Sequence, residues 1–224
     1  MAYKETLNKT QLLHVGIIIS TCKAMGINNR FAIGGILSVI SKESEFNPAS
    51  SEVSYANTSN DRIRKIFTRT QKLNDVQLNA LKKDQKAFFD YVYDFIIGNE
   101  EHEGYLFRGR GFNALTGEDN YENLTNLTGI DFAHNPDLLC NPDNAAKASA
   151  AYFINGIKTL NRVGKLAWYN ATNINDFKNI TDATKAIYHV NAGAGHDKAH
   201  LDADVTGGRK KALDRMESLL TLVP

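Results

Sequence analysis

Phe31-Ala-Ile-Gly-Gly-Ile-Leu-Ser-Val-Ile-Ser-Lys-Glu43-Ser-Glu45-Phe-Asn-Pro48 is the stretch from which the fold class is read. Asn28 and Asn29, good N-cap residues, precede it, so a helix is predicted from there to about Ser44. Pro48 then forces the chain into an extended or turn path. Glu43 lies three residues after Ile40 and seven after Ile36, so it extends the apolar stripe and is expected on the core side. A carboxylate there is partly desolvated and sits near the negative end of the helix dipole, and both effects favour its protonated form. That environment suits a general acid, although a charged helix end that simply reaches water gives the same spacing. Glu45 falls on the side of Ser38 and Ser41 and is expected in solvent.

Outward from this helix, periodicity predicts more of the same. A first helix spans about Lys9 to Met25, with Gly26 suited to its C-terminal cap. Others run from about Asn57 to Arg69 and from Asp75 to Phe95, the latter striped by Leu78, Leu81, Phe88, Val92 and Phe95. Ile96 to Gly117 carries five glycines and reads as loop or short hairpin. Helices resume over Glu118 to Leu127, Asp143 to Ile157, Arg162 to Tyr169, Asp182 to Val190 and Arg209 to Leu220. The expectation is a mainly α protein in one domain over 1–224, with an N-terminal helix within 1–29 and a small hairpin.

Composition narrows the function classes. The chain has 224 residues, 26 Lys+Arg against 25 Asp+Glu and a net charge of +1, with 42% hydrophobic residues. That is enough chain to bury a core without staples. Interspersed charges supply no polybasic footprint, so no nucleic acid partner is expected. Two cysteines, Cys22 and Cys140, exclude a disulfide framework and are read as free thiols. The start, Met-Ala-Tyr-Lys-Glu-Thr-Leu-Asn-Lys-Thr, has an acid and no apolar run, and later apolar runs are short of a membrane span. Synthesis in the cytoplasm without a signal peptide or membrane insertion is the expectation.

Several other residues invite chemistry. Glu52 stands nine residues after Glu43, beyond the Pro48 turn, near enough in sequence to fold back across a cleft. His196 and His200, with Asp197, Asp202 and Asp204, resemble a metal cluster, but their Gly-rich setting favours a solvated loop, and neither metal nor cofactor is expected. Arg108 and Arg110 are read as organisers of carboxylates rather than phosphate binders. Trp168, the one tryptophan, is expected in packing.

Arg108-Gly-Arg-Gly-Phe-Asn-Ala-Leu-Thr-Gly-Glu-Asp-Asn-Tyr121 closely resembles the Arg-Gly-Arg-Gly-Phe-Ile-Gln-Leu-Thr-Gly-x-x-Asn-Tyr signature of family 19 glycoside hydrolases, the chitinases and related phage and bacterial endolysins. Further likenesses follow in order. Lys42-Glu43-Ser44 is similar to the family's His-Glu-Ser/Thr, and Ser51-Glu52-Val-Ser-Tyr55 with Arg62 to Phe67 is similar to its Glu-x-Leu-x-Tyr segment and next helix. Tyr91-Val-Tyr93 with Gly98-Asn99, Asn135-Pro136-Asp137-Leu138 and His189-Val-Asn191-Ala-Gly193 resemble three more family elements. The likeness spans about 31–220. It implies a lysozyme-like, two-lobed helical fold that cleaves β-1,4 bonds between N-acetylated aminosugars with inversion. Glu43 would then be the general acid, Glu52 the general base and Thr116 a holder of the attacking water. Tyr55, Arg110, Asn120 and Asn191 would be substrate-binding residues of the cleft. Inversion needs the two carboxyls about 6.5 to 9.5 Å apart.

Departures from the family steer the substrate. Lys42 replaces its His, Asn113-Ala114 its Ile-Gln and Ala192 its first Gly of Ile-Asn-Gly-Gly, and the plant enzymes' disulfides are absent. These place the chain nearer the endolysin branch, with peptidoglycan glycan strands as the expected partner and chitin oligomers as the alternative. Glu43-Ser-Glu-Phe-Asn-Pro48 also resembles the Glu-Ser-x-Phe-Asn-Pro element of lytic transglycosylases, which use one Glu. An inactive cell-wall-binding module is a third possibility. An enzyme made in the cytoplasm that acts on the wall implies release through a phage holin, or injection by a tail or secretion apparatus.

Overall fold

The computed structural model describes residues 3–49, 54–193, 215 and 217–224. It is mainly α, as the periodicity predicts. α1 (Lys9–Ala24) begins with a reciprocal capping box between Asn8 and Gln11, and α2 (Arg30–Glu43) begins at Asn29, whose side chain accepts from the Phe31 and Ala32 N–H groups. Then come α3 (Asn60–Ile66), α4 (Asp75–Leu81), α5 (Gln85–Tyr93), α6 (Glu118–Thr128), α7 (Pro142–Arg162) and α8 (Ile180–Ala192).

The largest departures from the periodic reading each have a local reason. The helix expected over Asp75 to Phe95 is two, because Asp84 turns to accept the Ala87 N–H and caps a new start. The helix expected to reach Arg69 stops at Ile66 and continues as a 3-10 segment, Thr68–Lys72. The separate helix expected from Arg162 to Tyr169 is instead the end of α7 followed by a 3-10 turn, Leu166–Tyr169, with Gly164 at φ +75 between them. Of the expected Arg209 to Leu220 helix, only 215 and 217–220 lie among the described residues, and these are helical.

Three apolar clusters hold the helices. α1, α2, α7 and α8 enclose the largest, with Ile18, Ile33, Ile36, Ile40, Phe46, Phe112, Phe153 and Ile187 at its centre. Phe107, Leu115, Tyr121, Leu124, Phe132 and Leu139 form a second between α6 and one side of α7. Ile63, Phe67, Leu78, Phe88, Phe89 and Val92 form a third within α3 to α5. α2 packs most extensively on α8. Close approach is possible because a Cβ at Gly35 would stand 3.2 Å from the Thr184 Cα.

α2 is buried all round from Ala32 to Ser41. Ser38 and Ser41, expected to mark a wet face, are as buried as their apolar neighbours; the Ser41 hydroxyl donates to the Ser38 carbonyl at 2.7 Å. Trp168 packs at the surface, not in the core: it is 37% exposed and stacks on buried His189 at 5.8 Å, with Lys165 Nζ 5.5 Å above the ring. No helix among the described residues is long and apolar enough to cross a membrane. Cys22 and Cys140 are free thiols.

Candidate active site

Glu43 is the last residue of α2 and is half-buried. It lines a cavity of about 480 Å³ together with Asn8, Gln11 and His14 of the α1 end and with Ser44 to Asn47. A long buried helix thus ends with a glutamate at the edge of this hollow. α2 cannot continue, because the Asn47 N–H closes a turn on the Ser44 carbonyl at 2.9 Å, with Glu45 at φ +49 and Phe46 at φ +62. Two positive φ values in succession are the signature of a type I′ turn, which ordinarily employs Gly or Asn. Phe46 is fully buried here, so core packing holds what local preference opposes. Glu45 is exposed, as expected, but it sits in this turn and not on a helix face.

The glycine-rich signature folds into a tight loop beside the segment that follows Glu43. Arg110 and Leu115 exchange backbone bonds of 3.2 and 3.0 Å. Among the described residues this antiparallel bridge is what the expected hairpin amounts to. Its loop carries Gly111 at φ +73 and Ala114 at φ +52. The Gly111 N–H donates to the Pro48 carbonyl at 3.2 Å, which ties the loop to the segment following Glu43. Phe112 plunges into the largest core, edge-on to His14 at 5.8 Å. Asn113, at the position where the family has Ile, is buried; its side-chain Oδ1 accepts from the Ser149 hydroxyl of α7.

Thr116 is half-buried, and its hydroxyl donates to the Ala114 carbonyl at 3.2 Å. Asn120, one turn into α6, donates to the Thr116 carbonyl at 2.7 Å, so these two candidates are brought together directly. Gly117 offers no capping side chain, and the missing cap comes from Asn99, which accepts the Glu118 N–H at 2.8 Å. The Gly-Asn element 19 residues upstream therefore sets the start of α6, a role that only contact in space reveals.

Arg110 is placed differently from a cleft-lining sugar binder. It is 3% exposed, and its Nη1 donates to the Leu106 and Arg108 carbonyls and the Tyr121 hydroxyl while its Nε donates to Asp137 at 2.8 Å. Burial pushes the Tyr121 phenol up to about 12, against the lowering influence of Arg110 and Arg108. Arg108 stacks on Tyr105 at 4.1 Å. Arg110 thus pairs with a carboxylate, that of Asp137 in the Asn-Pro-Asp-Leu element.

Tyr55 is half-buried in the third core, 5.1 Å from Phe67 and 5.4 Å from Phe88. Asn191 lies half-buried near the end of α8. Glu52 lies outside the described residues, as do His196, His200 and the aspartates around them. Sequence reasoning missed Gln11 and His14, whose side chains reach the Glu45 and Phe46 carbonyls at 3.0 and 2.6 Å. Nothing in helical periodicity marks them, since their partners are carbonyls 34 and 32 residues away.

Compared with protein-family models and with curated proteins, the chain matches none.

Proposed function

We propose that the chain is a peptidoglycan-degrading glycoside hydrolase of the endolysin type, similar to family 19, with a lysozyme-like two-lobed arrangement. It cleaves β-1,4 bonds between N-acetylated aminosugars. The observation that carries this reading is the placement of Glu43: a half-buried carboxyl at the end of a buried helix, opening on a cavity large enough for a sugar ring. The bond from Gly111 to Pro48 supports it further, since it attaches the signature loop to the acid's own segment.

In this mechanism Glu43 protonates the departing glycosidic oxygen, and Glu52 takes a proton from water attacking the opposite face of the sugar. Thr116 holds that water, with Asn120 bonded behind it. Tyr55 and Asn191 contact sugar. Arg110 acts through the protein, holding the loop in shape from beneath.

A second reading, a lytic transglycosylase working through Glu43 alone, draws on the Glu43-Ser-Glu-Phe-Asn-Pro48 run. Its Phe and Pro are both buried and anchor the turn behind the acid. Mass spectrometry of the products from purified sacculi separates the readings, with chitin oligomers in parallel and Glu43→Gln as control. Reducing-end muropeptides establish a hydrolase, anhydro-muramyl ends the transglycosylase and release from chitin alone a chitinase. Binding without product means a cell-wall-binding module.

A further inference from the structure

We infer that His14, with Gln11, is a positioning residue for Glu43: α1 clamps the strained turn that aims the acid. This rests on the reading of Glu43 as the general acid. It extends the working site to a helix that lies before the family likeness begins.

Glu45 and Phe46, at φ +49 and +62, both occupy the left-handed region, which L-residues with a Cβ disfavour. Such a turn persists only when its surroundings over-determine it. The Phe46 ring is fully buried in the main core. Gln11 Nε2 donates to the Glu45 carbonyl at 3.0 Å, and the His14 ring holds the Phe46 carbonyl through Nδ1 at 2.6 Å. Both carbonyls of the strained pair are therefore held by side chains one helical turn apart on α1.

A carbonyl oxygen only accepts, so Nδ1 must carry the hydrogen of this bond, and the tautomer of His14 is set by it. His14 is 9% exposed and is packed edge-on against Phe112 of the signature loop, so it touches both that loop and the turn after Glu43. Gln11 is itself held: its Oε1 accepts the Asn8 N–H, its N–H donates to Asn8, and the capping box leaves Nε2 free to reach the turn. Both residues, like Glu43, line the same cavity. If the clamp lets go, the turn relaxes toward the right-handed region and the end of α2 no longer presents Glu43 at one fixed angle.

The test compares His14→Phe, which keeps the ring and its contact with Phe112 but has no donor, with His14→Asn, whose amide nitrogen can stand where Nδ1 stood. Initial rates and pH profiles on purified sacculi are measured for both, with Glu43→Gln alongside. Expected is a fall in kcat of at least about tenfold for His14→Phe, with KM within about twofold and the acid-limb midpoint of the profile displaced, because misalignment acts on the chemical step. His14→Asn recovers most of that loss. Should His14→Phe fail to fold, Gln11→Met gives the same reading on the neighbouring carbonyl, with the same fall in kcat expected. Unchanged kcat and pH profile in a folded clamp variant, or equal loss in His14→Phe and His14→Asn, overturn the clamp while leaving the acid assignment intact. Activity retained by Glu43→Gln would instead remove the functional reading itself.

Discussion

The backbone N–H of Gly111 donates to the carbonyl of Pro48 at 3.2 Å, joining two segments 63 positions apart in the chain. One belongs to the turn that ends the helix carrying Glu43 and the other to the glycine-rich loop that leads to Thr116. This bond, the shared burial of Phe46 and Phe112 and the His14 ring between them relate the acid's segment to the loop.

Substitution of the proposed acid gives the first prediction. Glu43→Gln is nearly isosteric but cannot donate the proton, so turnover of sacculi should fall at least about a hundredfold with the unfolding midpoint unchanged. Glu52→Gln should be comparably severe. Near-normal product formation by Glu52→Gln would exclude the two-carboxylate mechanism and favour the transglycosylase.

Arg110 and Asp137 should respond very unequally. Arg110 is buried with four oxygen partners, so Arg110→Met strands those groups and should cost roughly 3 kcal/mol in chemical denaturation. The Asp137 side chain is 84% exposed, and Asp137→Asn should cost well under about 1 kcal/mol. Equal losses would mean that the ion pair, and not the buried carbonyl contacts, is what matters.

Removing the ring that anchors the strained turn tests core packing directly. Phe46→Ala opens a cavity at a fully buried position and should lower stability by about 3–5 kcal/mol. Phe46→Leu should cost less than half as much. Calorimetric midpoints of the two variants check the ordering.

Thiol chemistry offers a pH-dependent check. Burial pushes Cys22 up to about 12 and raises Cys140 as well. Iodoacetamide at pH 8 should therefore spare Cys22 in the folded protein and label both thiols in denaturant, as read by intact mass. The sign of the linkage follows: the folded thiol of Cys22 stays neutral where the unfolded one ionises. Its contribution to stability is full below pH about 9 and declines as pH rises toward 12. Rapid labelling of native Cys22 would contradict its burial.

Backbone crowding at Gly104 makes a last test. A Cβ there would lie 2.3 Å from the Phe89 carbonyl oxygen and 2.8 Å from the Asp90 Cα. Asp94 and Asp90 accept the N–H groups of Gly104 and Tyr105 at 2.8 Å each, so the loop cannot retreat without losing both bonds. Gly104→Ala should thus destabilise by more than about 2 kcal/mol, measurable as an earlier urea midpoint.

Much of the helical plan was legible by residue type alone. Asn29 caps α2 and Pro48 keeps the chain beyond it out of a helix, because these are properties of one residue and its near neighbours. Glu43 was legible as a carboxylate at the end of this helix, because the Asn29 cap and the helix length place it there. What only the tertiary structure decided lies in contacts between distant segments. Ser38 and Ser41 read as a wet face but are enclosed, because α2 is surrounded and amphipathic spacing says nothing about a helix packed on every side. Arg110 looked like a ligand for sugar and is instead a buried strut, since its acceptors are loop carbonyls and a carboxylate 27 residues on. The left-handed turn at Glu45 and Phe46 runs against the preference of both residue types. It exists because a buried ring and two side chains of α1 outweigh that preference, and such a sum over distant partners is written nowhere in the local sequence.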